Sequence, residues 1–219
     1  MSEHLSPLHI PYIPRLDDLS MEEIITVLDD NGVRRTVDCL NWKDQYPYRP
    51  LTAVNIAHSG KYIYIDFFVR CNYLRAVNYE NNSHVHQDSC VEFFVEPTGE
   101  LPYYNFEFNC IGTIHAACRT DRNNGTLLSD EQLDKVKRFA SCGTRPFNEL
   151  EGMFSWNLLV AIPLDIIGLK YNGSPIEMRG NFYKCADNTA APHFLSYAPI
   201  STPEPDFHRP EFFAPIILD

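Results

Sequence analysis

The chain has 219 residues, 44% of them hydrophobic and 13% aromatic, which supplies enough apolar surface for a large core. Its formal net charge of −11 argues against nucleic acid and anionic membranes as partners, because both require clustered positive charge. No stretch approaches the roughly 20 apolar residues that span a bilayer, so no membrane insertion is expected. The seven cysteines are an odd number without a Cys-x-x-Cys spacing, which predicts reduced thiols rather than a disulfide framework or a zinc site.

The N-terminal segment from Met1 to Pro14 lacks the basic and apolar regions of a secretory signal peptide. The chain is therefore expected in the cytoplasm if it is full length, and in the periplasm or outside the cell if an export signal was removed.

A single short helix is predicted near the N-terminus. Ser20 is a suitable N-cap, Glu23 completes a capping box, and an apolar stripe follows. Asn31 and Gly32 are expected to end the helix by permitting a left-handed backbone. We assign residues 1–37 to an N-terminal extension and residues 38–219 to the main domain, most simply as one continuous unit.

The rest of the chain has the two-residue periodicity of β-strands. In the segment Lys61 to Arg70, Ile63, Ile65, Phe67 and Val69 alternate with more polar residues. Similar alternation covers Ser89 to Val95, Tyr104 to Cys110, Thr113 to Cys118, Phe154 to Ile162, Asn181 to Cys185 and Phe212 to Leu218. Because turns rather than helices separate these segments, they predict an all-β, antiparallel sandwich of jelly-roll-like topology.

One long segment, Asp187 to Arg209, is rich in proline and aromatic residues. It predicts an ordered loop that wraps the sandwich, and long ordered loops often carry function.

Two acidic residues give the most specific prediction of a site. If the strands on either side of residues 97–102 form a hairpin, Glu92 lies across from Glu107, and Cys90 lies across from Asn109. Directly opposed like charges destabilise a strand pair, so they require a cation, a shared proton or a polar ligand. The alternatives are two solvent-facing glutamates, a polar binding site, or a catalytic pair of the kind that glycoside hydrolases use.

Other residue types suit either a sugar site or a metal site. Aromatic rings pack against the apolar face of a sugar; Trp42 is expected at the surface for this purpose, whereas Trp156 is expected in the core. His84, His86 and Asp88 share one side of an extended segment, which makes them an alternative set of metal ligands.

Three segments resemble the family 9 carbohydrate-binding modules, and they occur in the family's order. These segments are Asp88 to Val95 (DSCVEFFV), similar to the family's acidic DSVE strand, Asn105 to Gly112 (NFEFNCIG), and Phe207 to Leu218 (FHRPEFFAPIIL), similar to its terminal strand. The resemblance runs from about Asp38 to the C-terminus and leaves the predicted helix outside.

The resemblance implies a β-sandwich that binds sugars or oligosaccharide ends, sometimes with structural calcium. Such modules are often attached to xylanases or other glycoside hydrolases, so a role in carbohydrate catabolism is implied as well. The family's acidic sugar ligand matches Glu92. Its two tryptophans fall near Val85 or His86 and on Phe207, and a sugar-contacting arginine falls on Glu107.

We therefore predict non-catalytic binding of a mono- or oligosaccharide, with no required cofactor, no metal ligands and no catalytic residues. Arg75 or Arg209 is expected to relieve the repulsion between the glutamates. The alternatives are a glycoside hydrolase that uses Glu92 and Glu107, and an interaction or scaffold domain whose sugar site has decayed. The predicted sugar contacts are Glu92, Glu107, Asn109, His86, Arg75, Phe207, His208 and Tyr197.

Overall fold

The computed structural model describes residues 5–219, and two β-sheets dominate this part of the chain. Its strands, numbered in chain order, are Leu8–Ile10 (β1), Val33–Thr36 (β2), Leu51–His58 (β3), Tyr62–Ala76 (β4), Cys90–Glu96 (β5), Tyr103–Asn109 (β6), Ile114–Arg119 (β7), Gly125–Leu127 (β8), Lys137–Ala140 (β9), Phe147–Pro163 (β10), Ile176–Cys185 (β11), Phe194–Ser196 (β12) and Ala214–Leu218 (β13).

The larger sheet has the strand order β1-β13-β11-β5-β6-β7-β8, with β12 also paired to β11. The smaller sheet has the order β2-β3-β4-β10-β9. All named strand pairs are antiparallel except β1 with β13, which run parallel. The predicted antiparallel β-sandwich is thus confirmed.

Alternation along the strands places one face of each sheet in a shared core. On β4 the predicted apolar face is buried, and Ile63, Ile65 and Phe67 have no exposed surface. Phe93 of β5 stacks on Phe182 of β11, with ring centroids 4.8 Å apart, at the centre of this layer. Trp156 is also in the core, as its sequence context predicted.

The predicted N-terminal helix spans Met21–Asn31 (α1), and Ser20 and Glu23 form the expected capping box. Its buried residues Ile24 and Leu28 pack on the outer face of the smaller sheet. Gly32 does not adopt the predicted left-handed conformation, since its φ is −73°. It allows close packing instead, because a Cβ atom there would lie 2.6 Å from the carbonyl oxygen of Leu28.

The segment predicted as an N-terminal extension contributes strands to both sheets. β1 pairs with β13 in the larger sheet, and β2 pairs with β3 in the smaller one. This pairing favours one continuous domain over a separate extension.

A second helix, Asp130–Lys135 (α2), was not predicted, although Ser129 and Gln132 form a capping box there too. With only six residues, its apolar periodicity is too short to read from sequence. Short 3₁₀ segments occupy Pro14–Asp18, Val85–Gln87, Leu164–Ile167 and Pro210–Phe212. Among the described residues, no helix has the length and apolar character needed to cross a membrane.

Candidate functional site

The hairpin of β5 and β6 has the predicted register. Glu92 pairs with Glu107, and Cys90 pairs with Asn109. Both glutamates point away from the core, on the outer face of the larger sheet, because Val91 and Phe93 fill the core side of β5. Yet neither acid is solvent-exposed: Glu92 is 2% exposed and Glu107 is 5% exposed. The solvent-facing alternative is therefore wrong.

These acids are buried because later parts of the chain pass over this face and leave a cavity of about 500 Å³. This volume lies in the usual range of small-molecule sites. The cavity, called the sheet pocket below, is lined by Tyr46, Ser83, His84, His86, Glu92, Phe94, Glu107, His115, Arg119, Arg122, Cys185, Asp187, Phe194, Pro205, Asp206, Phe207 and His208.

Glu92 lies at the floor of the sheet pocket with few hydrogen-bond donors around it. The thiol of Cys185 lies 3.1 Å from its Oε1, and that of Cys90 lies 3.7 Å away. Thiols are weak donors, so they compensate a buried carboxylate poorly. Burial, followed by the nearby Glu107, raises the pKa of Glu92 well above its usual value.

Glu107 is better satisfied than its partner. The amide of Asn105 donates to its Oε1 at 3.0 Å, and Nδ1 of His86 lies 3.8 Å from its Oε2. Burial raises the pKa of Glu107, against the opposing effect of His86. Burial lowers the pKa of His86, so this imidazole is mainly neutral at neutral pH.

Asp187 is a third carboxyl in the sheet pocket, and the sequence argument did not select it. It lies two residues after the end of β11, and its backbone N–H donates to the carbonyl of His86. Its Oδ1 is buried and has no hydrogen-bond partner among the described residues. Burial raises the pKa of Asp187 to about 6.

Aromatic rings form one wall of the sheet pocket. Phe207 stacks on Tyr183, with centroids 4.2 Å apart and planes 9° apart. Phe194 lies 6.1 Å from Phe207 and meets Tyr46 edge-on at 4.8 Å. Phe207 is thus held in place from one side and remains half-buried at the pocket surface.

His208 also lines the sheet pocket. Its Nδ1 is hydrogen-bonded to the hydroxyl of Tyr103 at 2.9 Å, and its ring lies 4.9 Å from that of Phe94. Burial, together with Arg119 and Arg122, lowers the pKa of His208 to about 3. The ring is therefore a neutral hydrogen-bonding group at all physiological pH values.

Two arginines at the sheet pocket were missed by the sequence argument. Arg119 donates from Nε to Asn105 at 2.8 Å and from one terminal nitrogen to the carbonyl of Arg122 at 3.0 Å. Arg122 pairs with Asp206 at 3.1 Å. No local motif marks these residues: Arg119 ends β7 and Arg122 follows three residues later, and only folding places Arg122 beside Asp206 of the late loop.

Three of the predicted sugar contacts lie elsewhere. Asn109 uses its amide to bind Asp88 and the carbonyl of Asn78, so it is a structural residue. Arg75 lies 3.3 Å from Asp88 rather than beside the glutamates. Tyr197 packs edge-on against Phe182, at 6.0 Å, next to the core.

Arg209, which was expected to relieve the repulsion between the two glutamates, forms its ion pairs elsewhere. It forms ion pairs with Asp206 at 2.7 Å and Glu211 at 3.8 Å. Arg209 therefore does not relieve the repulsion between Glu92 and Glu107, and burial together with this repulsion raises the pKa of Glu92.

Trp42 is not at the surface. It is 6% exposed, its Nε1 donates to the carbonyl of Thr202 at 2.8 Å, and its ring lies 6.1 Å from that of Phe207. Trp42 thus supports a ring of the sheet pocket instead of contacting a ligand.

The histidine-based metal alternative is not supported. A 3₁₀ turn at Val85–Gln87 breaks the extended segment on which it depended. Asp88 is buried and accepts hydrogen bonds from the backbone N–H groups of Val77 and Asn78.

A different group could hold a metal ion. The ligand atoms of Cys90, Glu92 and Cys185 lie within 4.8 Å of one another. Two thiols and one carboxylate do not fit the calcium that the family resemblance implied, since calcium takes oxygen ligands.

Comparison with known proteins supports this picture. The sequence matches the model of "Carbohydrate-binding family 9" over residues 22–218. A structure of a candidate carbohydrate-binding protein from Bacteroides uniformis ATCC 8492 is 36% identical, covers 98% of this chain and 99% of its own, and has a TM-score of 0.92. No curated protein matches the sequence.

Two more distant structures share the fold. A family 9 module from Caldicellulosiruptor kristjanssonii in complex with glucose is 14% identical, covers 98% of this chain and 96% of its own, and has a TM-score of 0.57. A family 9 module from the same organism in complex with cellotriose is 12% identical, covers 96% and 92%, and has a TM-score of 0.52.

Fold and family together define the class of this protein, a non-catalytic sugar-binding β-sandwich. The chain belongs to carbohydrate-binding family 9. This confirms the predicted function class. The family match begins at residue 22, within α1, whereas the resemblance seen in the sequence began near Asp38.

Proposed function

We propose that the sheet pocket binds one sugar unit, either a monosaccharide or the end of an oligosaccharide, without cleaving it. The main support is that one cavity is surrounded by Glu92, Glu107, His86, His208 and Phe207. Rings on one side and hydrogen-bonding groups on the floor are the two requirements for holding a pyranose.

The open cavity favours binding over a decayed site. In a scaffold domain that had lost its ligand, the outer face would be filled by packed side chains or be flat. Here the half-buried ring of Phe207 and the buried acids border a space of about 500 Å³. Glucose and cellotriose, bound by the two distant family members, are the first ligands to test.

Calorimetry with glucose, cellotriose and a panel of other neutral and charged sugars tests the proposal. We expect a Kd of about 10 µM to 1 mM, because few rings stack on the sugar and each hydroxyl exchanges water for protein. Absence of binding to every plant, host and microbial glycan on an array would overturn the proposal.

The same protein should not hydrolyse aryl glycosides. The chain belongs to a family of carbohydrate-binding modules, and the hydrolase alternative rests on the Glu92–Glu107 pair alone. Turnover that disappears in Glu92→Gln would support the hydrolase alternative against binding alone. We also propose a supporting role in polysaccharide or oligosaccharide breakdown, for which the family membership is the support.

A further inference from the structure

The floor of the sheet pocket carries three acidic groups that are not ion-paired with Arg119 or Arg122 of the same lining. Glu92, Glu107 and Asp187 all line it. Within residues 5–219, none of them forms an ion pair with a lysine or arginine. The nearest basic group is His86, which lies 3.8 Å from Glu107 and is mainly neutral.

Among the described residues, only weak hydrogen-bond donors contact the carboxyl group of Glu92. Its Oε1 is near two thiols, while no donor in the described part of the chain bonds to its Oε2. Glu92 is only 2% exposed, so its carboxyl has lost most of its hydration. Since Glu92 lines the cavity, a bound ligand can supply the missing donor.

The neighbouring cations are already engaged. Arg122 pairs with Asp206, and Arg119 donates to Asn105 and to a backbone carbonyl. Lys184 lies on the core side of β11, where its ammonium contacts His193 at 2.9 Å and the carbonyl of Cys185 at 2.7 Å. None of these groups bonds to the floor acids.

The carboxylates of Glu92, Glu107 and Asp187 do not form a cluster that a single metal ion could bind. Among the described residues, the only cluster of three ligands within 4.8 Å joins Glu92 to Cys90 and Cys185, without Glu107 or Asp187. A sugar ring, by contrast, extends across the floor and can place an amine beside one acid and hydroxyls beside the others.

We propose that the sheet pocket prefers sugars with a free, protonated amino group over neutral and acidic sugars. An ammonium group offers three donors and a positive charge, and charge-assisted bonds are stronger than neutral ones. This inference rests on the proposed function, since it specifies the ligand of the same pocket. Glu92 is the specificity-determining residue.

Calorimetry at a pH where the amine is protonated tests this preference with glucosamine, N-acetylglucosamine, glucose and glucuronate. We expect glucosamine to bind about tenfold more tightly than the other three. In Glu92→Gln the ratio of glucosamine affinity to glucose affinity should fall to about twofold or less, whatever the change in glucose affinity itself. Glu100→Gln is the matched control, because it removes the same charge from an exposed turn outside the pocket.

Each other result has a distinct meaning. Binding of glucose with no advantage for glucosamine would overturn the amino-sugar preference and leave the proposed function standing. If glucuronate bound more tightly than glucosamine, the arginines would select the ligand, and the amino-sugar preference would again be overturned. If ethanolamine bound as tightly as glucosamine, the pocket would recognise the ammonium group and not the sugar, which would also overturn the amino-sugar preference. If no sugar binds at all, the proposed function itself fails.

Discussion

The two outer faces of the sandwich are covered in different ways. On the smaller sheet, α1 packs Ile24 and Leu28 against Tyr64 and Leu159; we call this surface the helix face. On the larger sheet, the loop after β11 passes over Glu92 and Glu107 but leaves the sheet pocket open. Both faces leave space: the helix face borders a cavity of about 540 Å³ whose lining has one aromatic ring, Phe68, whereas several aromatic rings line the sheet pocket.

Each outer face contains a buried carboxyl group, so a buried carboxyl group alone does not identify the binding site. On the helix face, Asp66 is 2% exposed, accepts a hydrogen bond from Asn157 at 3.0 Å, and keeps one oxygen without a partner within residues 5–219. Its pKa is raised to about 6, mainly by burial. What distinguishes the sheet pocket is the convergence of several rings and polar groups around its acids. A shifted pKa alone does not identify a binding site.

The largest expected effect comes from removing the contact that closes the helix face. Leu28→Ala should lower the free energy of unfolding by about 2–5 kcal/mol, because Leu28 has no exposed surface and its loss leaves a cavity. Urea denaturation measures this. Thr26→Ala, on the exposed side of the same helix, is the control and should change stability little. Equal losses in both variants would mean that α1 is not held by its apolar stripe.

Asp66→Asn should stabilise the protein at neutral and alkaline pH. The folded-state pKa of about 6 exceeds the model-compound value of 3.8, so the wild-type protein loses stability as the pH rises between these values. The gain in the variant should reach at most about 3 kcal/mol above pH 6 and vanish near pH 4. Denaturation midpoints from pH 4 to pH 8 measure it, with Asp30→Asn at an exposed position as the control. A pH-independent difference would contradict this assignment.

Phe207→Ala tests the ring wall of the sheet pocket. Sugar affinity should fall by about tenfold or more, because the variant loses the aromatic surface beside the cavity. Phe212→Ala is a close control: Phe212 packs against the same aromatic cluster and does not line the pocket. Both variants are expected to be less stable than the wild type, but only Phe207→Ala should bind sugar weakly in calorimetry. Similar affinity losses in the two would place the ligand elsewhere.

The smallest expected effect concerns the start of α1. Ser20→Ala removes the side-chain oxygen that accepts from the Glu23 backbone, at a cost of about 1 kcal/mol. Thermal unfolding should show the loss, and sugar affinity should be unchanged, because α1 lies on the face opposite the pocket. A change in affinity would indicate that the two outer faces are coupled.

The sequence by itself determined the sandwich, the cap of α1 and the register of the β5–β6 hairpin. These features depend on neighbouring residues: the alternation of Ile63, Ile65 and Phe67, the Ser20–Glu23 spacing, and the short turn that sets Glu92 opposite Glu107. The resemblance to the family also pointed to Phe207 at the site. The second helix was missed because its six residues give too short a pattern.

Only the tertiary structure decided which polar residues reach the pocket. Asn109 and Arg75 have side chains suited to sugar binding, yet Asp88 engages both in a buried network. Asp187, Arg119 and Arg122 carry no local signal, and they meet because distant strands and loops fold over one face. Spacing along a strand fixes which side a residue faces, but hydrogen-bond partners far away in the chain decide whether its polar atoms remain available to a ligand.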